Sequence, residues 1–463
     1  MTRMSRCRIA FLLPGGEPWV RKVVADLVPV LTSLEGECVF LSEGPAARDL
    51  GGAWIELDGI DTNPAFRRMY SSYTVAEPSV EESRREFRYC RARFDEKFSL
   101  EQVRTRYQGW MKQARALYRL VQPDQVWIWN GVLYRGAAFA ASATQMGLPV
   151  FYAEKGAMPG SWALDPRGTN GASSLLQVPE PAPEPGRVTA MRKEISQWDQ
   201  AGRSAWGQPE RMKAEELEQL REKAAGRKVV FFPGQVDIDS NVICFSPHFR
   251  GSGEALDFLV RNLADEYFFL VKPHPMGGVS GEDYREIVGE RGFVIKDIHV
   301  LDAVEVSDLV ATINSTVGFE AAVRGKPVFL LGRGILSERS FVRQWVPGQP
   351  LEAQVESWLG EYVSKRDEQE EKAFTWAAFL MDEYYLFLED RERLRKRLSR
   401  TVSCARNEAD HRFCLNLDEI VTLLSPLSPE EQAAGLQGRD LLRLACRKAR
   451  KRVRGFGNTG EIK

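Results

Sequence analysis

Short apolar runs recur along this chain: Arg8 to Leu13 (RIAFLL), Glu37 to Leu41 (ECVFL), Gln125 to Trp129 (QVWIW), Pro149 to Tyr152 (PVFY), Lys228 to Pro233 (KVVFFP) and Tyr267 to Lys272 (YFFLVK). Phe293 to Ile295, Leu309 to Ile313 and Pro327 to Leu331 continue the series. These runs show little of the apolar–polar alternation of a strand with one wet face, so they read as strands buried on both sides. Segments with helical spacing stand between them, at Val20 to Leu34, Val103 to Leu120 and Arg135 to Gln145. Strand and helix in alternation specify parallel sheets covered by helices, an α/β fold.

With 463 residues the chain has material for two domains and a helical appendage. The expected boundaries are 1–215 for a first Rossmann-like domain, 216–350 for a second, and 351–463 for a helical tail that bridges them. The charged, Pro-containing stretch from Pro179 to Gly226 reads as the crossing between the domains. In the tail, Phe374 to Leu398 carries an aromatic stripe that reads as core or domain-bridging surface. The more polar region from Asp58 to Leu100 reads as helices or a long excursion.

Charge excludes some functions. Against 63 Lys and Arg stand 64 Asp and Glu, so the molecule has no overall attraction for nucleic acid. A local basic cluster, Arg443 to Arg454, fits a solvated tail or a contact with anionic lipid headgroups. The seven cysteines are scattered without a CxxC pair, which fits a reducing compartment and predicts neither a disulfide framework nor a zinc site. Near the N-terminus the apolar run ends after five residues at Pro14, too short for a signal peptide or a spanning helix. A cytoplasmic location is expected.

Polar loops come after the strands, where α/β folds place ligands. After PVFY comes Ala153-Glu-Lys-Gly-Ala-Met-Pro-Gly160, in which Glu154 is a candidate acid or base beside Lys155. Asp165, Arg167 and Asn170 form a turn suited either to capping or to holding a sugar. After KVVFFP comes Gly-Gln-Val-Asp-Ile-Asp-Ser-Asn241. Asp237 and Asp239 there are candidates for nucleophile or base, and equally for turn capping; a metal is not expected from the DxD pattern alone. After YFFLVK, two prolines constrain His274 while Lys272 offers a point charge for a phosphate or carboxylate. His248, His299 and His411 lack such a setting. After LVATI, Asn314, Ser315 and Thr316 stand where a helix begins and could bind phosphate or simply cap it, with Glu320 about a turn further able to accept from sugar hydroxyls. The common dinucleotide, P-loop, esterase and zinc-protease motifs are missing. Two Rossmann-like halves with polar loops suggest a glycosyltransferase with a cleft between its domains.

Four segments, FYAEKGAMPGSWALDPRGTN at 151–170, FFPGQVDIDSN at 231–241, VKPHP at 271–275 and INSTVGFEAAVRGKPVFLLG at 313–332, resemble the capsule polysaccharide synthesis family, which includes bacterial retaining β-Kdo transferases of capsule, lipopolysaccharide and O-antigen assembly. The resemblance implies a GT-B-like enzyme that uses CMP-Kdo as donor, needs no other cofactor and retains configuration by two successive inversions. It places the nucleophile at Asp239, with Asp237 in reserve, and the acid/base at Glu154. It implies that Lys272, His274, Ser315 and Thr316 clamp the cytidine monophosphate, with Gln235, Asn314 and Glu320 among the donor-binding residues. The implied partners are a glycan or lipid-linked acceptor, other polysaccharide assembly proteins and the cytoplasmic face of the inner membrane. Two rivals stand beside it: a GT-B transferase or epimerase acting on another nucleotide sugar, and a non-catalytic assembly component.

Overall fold

The computed structural model describes residues 7–14, 18–44, 53–60, 64–94, 98–204 and 207–403. The basic cluster at 443–454, His411 and the last three cysteines lie outside them. Contact density divides the chain into two compact units, 1–87 with 98–153 and 387–463, and 88–97 with 154–386. The segment 154–215 thus groups with the second unit rather than with the first domain expected from the sequence, although β6 within it pairs into the first sheet.

The strands are β1 (Cys7–Leu13), β2 (Gly36–Ser42), β3 (Ala53–Glu56), β4 (Gln125–Trp129), β5 (Val150–Lys155) and β6 (Ser161–Asp165), then β7 (Lys228–Pro233), β8 (Tyr267–Lys272), β9 (Gly292–Val294), β10 (Leu309–Thr312), β11 (Val328–Leu330), β12 (Arg343–Gln344) and β13 (Leu386–Phe387). The first sheet has the order β13-β6-β5-β4-β1-β2-β3, and the second β12-β11-β10-β7-β8-β9. Pairing from β5 through to β3 is parallel, as is every pairing of the second sheet. The α/β class is therefore as expected.

Burial explains why the apolar runs dominate. Ile9, Ala10, Val230, Phe231 and Phe269 have no exposed surface, and both faces of each sheet are packed. Around the first sheet the helix Leu100–Val121 buries Tyr107, Met111, Ala114 and Leu117 at helical spacing. Its Ser99 and Gln102 form a reciprocal capping box, which fixes where it starts. Around the second sheet, Leu256 and Leu259 of the helix Ser252–Asn262 pack with Trp358 and Tyr362 of the helix Leu351–Ser364. Each of these large side chains, taken out of water, contributes about 1.5–3 kcal/mol before its lost conformational entropy is subtracted.

Strand order in the second sheet fixes where a ligand site can form. Read from β9, the sequence of strands is 3-2-1-4-5-6 of a Rossmann unit, so the order in which strands are added reverses between β7 and β10. Loops that leave the carboxyl ends of those two strands diverge, and the crevice they leave is where open α/β sheets bind ligands.

The tail differs in detail from a continuous helix. After the helix Arg366–Phe379 the backbone widens into a π turn at Leu380–Tyr384, and the short strand β13 precedes the helix Arg391–Ser403. Phe374, Trp376 and Leu380 are buried, so this part of the aromatic stripe is core. No helix among the described residues is long and apolar enough to cross a membrane.

Candidate active site

A cavity of about 160 Å³ opens at the reversal point of the second sheet, and every residue that lines it lies between 154 and 316, within one compact unit. Four strand ends and one further turn supply its walls. Gly234, Gln235, Val236, Asp239 and Asn241 come from the loop after β7, His274 from the loop after β8, and Ser315 with Thr316 from the loop after β10. Glu154, Lys155 and Gly156 close β5, and Asn170 stands on the turn beyond β6.

Asp239 owes its position to a helix cap. It is the N-cap of the short helix Ser240–Phe245, and its Oδ1 accepts from the Asn241 N–H at 2.8 Å. Its Oδ2 has no hydrogen-bond partner among the described residues, and the side chain is exposed. One oxygen fixes the carboxylate while the other remains able to react. Asp237, two residues earlier, faces a different helix: its Oδ1 accepts from the Ser252 N–H at 2.8 Å, at the start of Ser252–Asn262. Burial pushes its proton affinity up, and the Ser252 hydrogen bonds oppose that rise. The DxD pattern thus serves two helix starts. Among the described residues, no group of three His, Cys, Asp or Glu side chains converges as metal ligands do.

His274 sits in a tight turn in which its Nδ1 accepts from the Met276 N–H at 3.1 Å. Partial burial pushes its pKa below the ordinary 6.5, nearby Asp239 opposes this, and the Lys272 charge adds to it. An Nδ1 that accepts leaves the ring proton on Nε2, so His274 is a neutral hydrogen-bond donor. The Ser315 hydroxyl accepts from the Val317 N–H at 3.3 Å and keeps its own proton to donate. Thr316 makes no side-chain cap bond. The next helix, Val317–Ala322, is only six residues long, and the Ser315 N–H is taken by Thr312 Oγ1 at 3.2 Å. Hydroxyls, rather than an array of free helix N–H groups, are therefore what this loop presents.

The remaining expected residues support the walls or stand apart. Gln235 donates through Nε2 to Asn314 Oδ1 at 2.9 Å, and its Oε1 accepts from Thr312 Oγ1 and from Asn314 N, both at 3.1 Å. Asn314 donates onward to the carbonyls of Asn241 at 2.9 Å and Arg333 at 3.0 Å. This network ties the loops after β7 and β10 together and occupies both carboxamides. Asn314, Asp237, Lys272 and Glu320 do not line the cavity. Lys272 reaches toward the Lys296 carbonyl at 3.4 Å, and Glu320 accepts from the Ser204 hydroxyl at 2.6 Å.

At the β5 wall, Glu154 accepts from the Lys155 N–H at 3.0 Å. Lys155 is a cation that lines the cavity; burial lowers its pKa, and the Glu154 carboxylate partly restores it. Sequence alone marks it only as a neighbour of Glu154. Gly156 comes next because nothing larger fits: a Cβ there would stand 2.0 Å from Ser161 Oγ. Asp165 is fully buried and accepts from Ser173 Oγ and Tyr384 OH, both at 2.9 Å, and from Ser174 Oγ at 2.6 Å. It organises the turn that carries Asn170. His299 is also structural, its Nδ1 capping the helix Val300–Val306 through the Leu301 N–H at 3.0 Å.

Residues 186–344 match the family of capsule polysaccharide biosynthesis proteins. The chain resembles that family. The matched interval holds Asp239, His274, Ser315 and Thr316 but stops short of Glu154 and Asn170. Protein FixF of Sinorhizobium fredii is 27% identical over 268 residues, 51% of this chain and 58% of FixF. The capsule polysaccharide modification protein LipA of Neisseria meningitidis serogroup B is 26% identical over 141 residues, 28% of this chain and 19% of LipA. Both alignments span less than two thirds of the relative. Among solved structures, the beta Kdo 2,7 transferase KpsC of Thermosulfurimonas dismutans superposes with a TM-score of 0.41 at 13% identity, covering 86% of this chain and 99% of that one.

Proposed function

We propose that this chain is a retaining β-Kdo glycosyltransferase that moves 3-deoxy-manno-octulosonate from CMP-Kdo to a glycan or glycolipid acceptor. The observation that carries the reading is Asp239: a carboxylate with one oxygen held by a backbone N–H and the other unpartnered among the described residues, in a cavity that also contains Glu154. In the first step Asp239 Oδ2 forms a bond to the anomeric carbon, and the bond from that carbon to the phosphate oxygen breaks, its electron pair leaving with CMP. The neutral His274 N–H, the Ser315 and Thr316 hydroxyls and the Lys155 ammonium offer donors to the phosphate charge and to the donor's carboxylate. In the second step the acceptor oxygen attacks the same carbon, its proton passes to Glu154, and the bond to Asp239 breaks. Two inversions leave the configuration retained.

Asp237, Gln235 and Asn314 act in this reading as positioning residues, since their side chains hold the loops that present Asp239 and Ser315. Lys272 and Glu320 are left out of donor contact. We also propose the basic segment at 443–454 as the contact that brings the chain to the cytoplasmic membrane face where a lipid-linked acceptor would lie. The test is CMP release from CMP-Kdo in the presence of Kdo-terminated glycolipid: wild type turns over, whereas Asp239→Asn and Glu154→Gln each lose at least about 10³-fold and 10²-fold in rate. Turnover by Asp239→Asn at the wild-type rate defeats the proposal.

A further inference from the structure

Two residues that line the cavity each carry a buried polar atom with no hydrogen-bond partner among the described residues: Asn170 Nδ2 and Asn241 Oδ1. Buried carboxamide groups are nearly always satisfied, because leaving one unpaired costs about 1–3 kcal/mol. Here two such groups of opposite sense, a donor and an acceptor, belong to residues that line one cavity.

The surrounding structure holds them there. Asn170 has φ +52°, a left-handed conformation that asparagine tolerates better than most residues. The next residue, Gly171, is pressed against the short helix that bears Asn241: a Cβ on it would stand 2.6 Å from Phe245 Cγ and 3.0 Å from the Arg333 carbonyl oxygen. The same Arg333 carbonyl accepts from Asn314 Nδ2, and Asn314 also takes the Asn241 carbonyl. The turn at 169–172 is further anchored by fully buried Asp165 through the Gly168 N–H at 3.2 Å and the Ser173 hydroxyl at 2.9 Å. These contacts fix the backbone from which each of the two carboxamides projects.

Their opposite senses select a ligand chemistry. Asn241 Oδ1 demands a ligand O–H or N–H, which a fully ionised phosphate lacks. Asn170 Nδ2 demands an oxygen acceptor. A sugar hydroxyl is both donor and acceptor, and a polyol carries several. We infer that Asn170 and Asn241 are the sugar-reading residues of the cavity, satisfied by hydroxyls of the transferred sugar and not by the nucleotide. This inference rests on the proposed donor site and adds to it a division of labour: His274, Ser315 and Thr316 face the phosphate, and the two asparagines face the polyol.

The experiment compares Asn170→Gly, which keeps the left-handed backbone, and Asn241→Ala with wild type. KM for CMP-Kdo and the inhibition constant of CMP alone are measured in the CMP-release assay, with thermal midpoints alongside. The expected result is that each substitution raises KM about tenfold, as loss of one hydrogen bond does. CMP inhibition stays within about twofold and the midpoint does not fall, because each variant removes an atom that had no partner in the protein. An unchanged KM, or a parallel loss of CMP affinity, overturns the inference while leaving the transferase reading intact. If wild type releases no CMP from CMP-Kdo, the transferase reading falls. The pair is then judged by calorimetry with UDP-N-acetylglucosamine against UDP: a loss confined to the sugar-bearing ligand upholds it, and any other outcome overturns it.

Discussion

Asp237 and Asp239 show how residue chemistry diverges over two positions. Both accept from a backbone N–H at 2.8 Å at a helix start, yet only Asp239 lines the cavity. Asp239→Asn preserves the cap oxygen, so stability changes by less than about 0.5 kcal/mol while turnover is lost. Asp237→Ala does the reverse, costing about 1 kcal/mol of stability in chemical denaturation with CMP release largely kept. His274 makes a second prediction: an NMR titration finds its pKa below 6.5 and its proton on Nε2, because burial and the Met276 N–H both disfavour a protonated Nδ1. Since its folded pKa is depressed, the stability it contributes is present above 6.5 and is lost as pH falls through the folded value. A pKa above 6.5 contradicts the neutral-donor assignment. At this scale the sequence shows which loops carry polar groups but not where each side chain points. Lys155 and Lys272 both end strands, and only the folded chain shows that the former lines the cavity. Gln235 stands in the right loop, but its partners Thr312 and Asn314 are more than seventy residues away.

At the scale of elements, the Gln235–Asn314 network joins two loops that the strand order alone would leave to diverge. Gln235→Leu leaves Asn314 and Thr312 groups unpaired, so the denaturation midpoint drops by the equivalent of about 2–4 kcal/mol, and KM for the donor rises as the walls loosen. In the other unit, Glu86 on the helix Val80–Phe94 accepts from the Tyr134 N–H at 2.6 Å while only 2% exposed. Burial raises its pKa from the ordinary 4.5 to about 7. Its contribution to stability is therefore complete below about 4.5 and is lost as pH rises through about 7. Glu86→Gln keeps an acceptor for Tyr134 and removes that loss, so its stability advantage over wild type grows between pH 4.5 and 8 by on the order of 3 kcal/mol. A constant difference across that range contradicts the assignment. Long apolar strands are legible because burial on both faces leaves an unbroken apolar run. The strands β3 (AWIE) and β6 (SWALD) end on a carboxylate that breaks the apolar run, β12 (RQ) is polar, and β13 has only two residues, so none of them stands out. The Pro-rich start of the helix Pro185–Gln200 reads as a crossing because proline suits the first turn of a helix as well as a linker.

For the whole molecule, two sheets with parallel central strands arise from the alternation of strand and helix, and the reversal of strand order in the second fixes where a ligand site forms. Division into units is less legible, since residues 387–403 group with the first unit and 154–215 with the second through contacts remote in sequence. The central claim is that a donor sugar becomes covalently attached to Asp239. Intact-protein mass spectrometry after mixing the chain with CMP-Kdo tests it most directly, comparing wild type, Asp237→Ala and Asp239→Ala. The account predicts a gain of about 220 Da, one Kdo unit less water, on wild type and Asp237→Ala but not on Asp239→Ala. An adduct that persists in Asp239→Ala, or CMP release by wild type that continues unchanged in that variant, contradicts it.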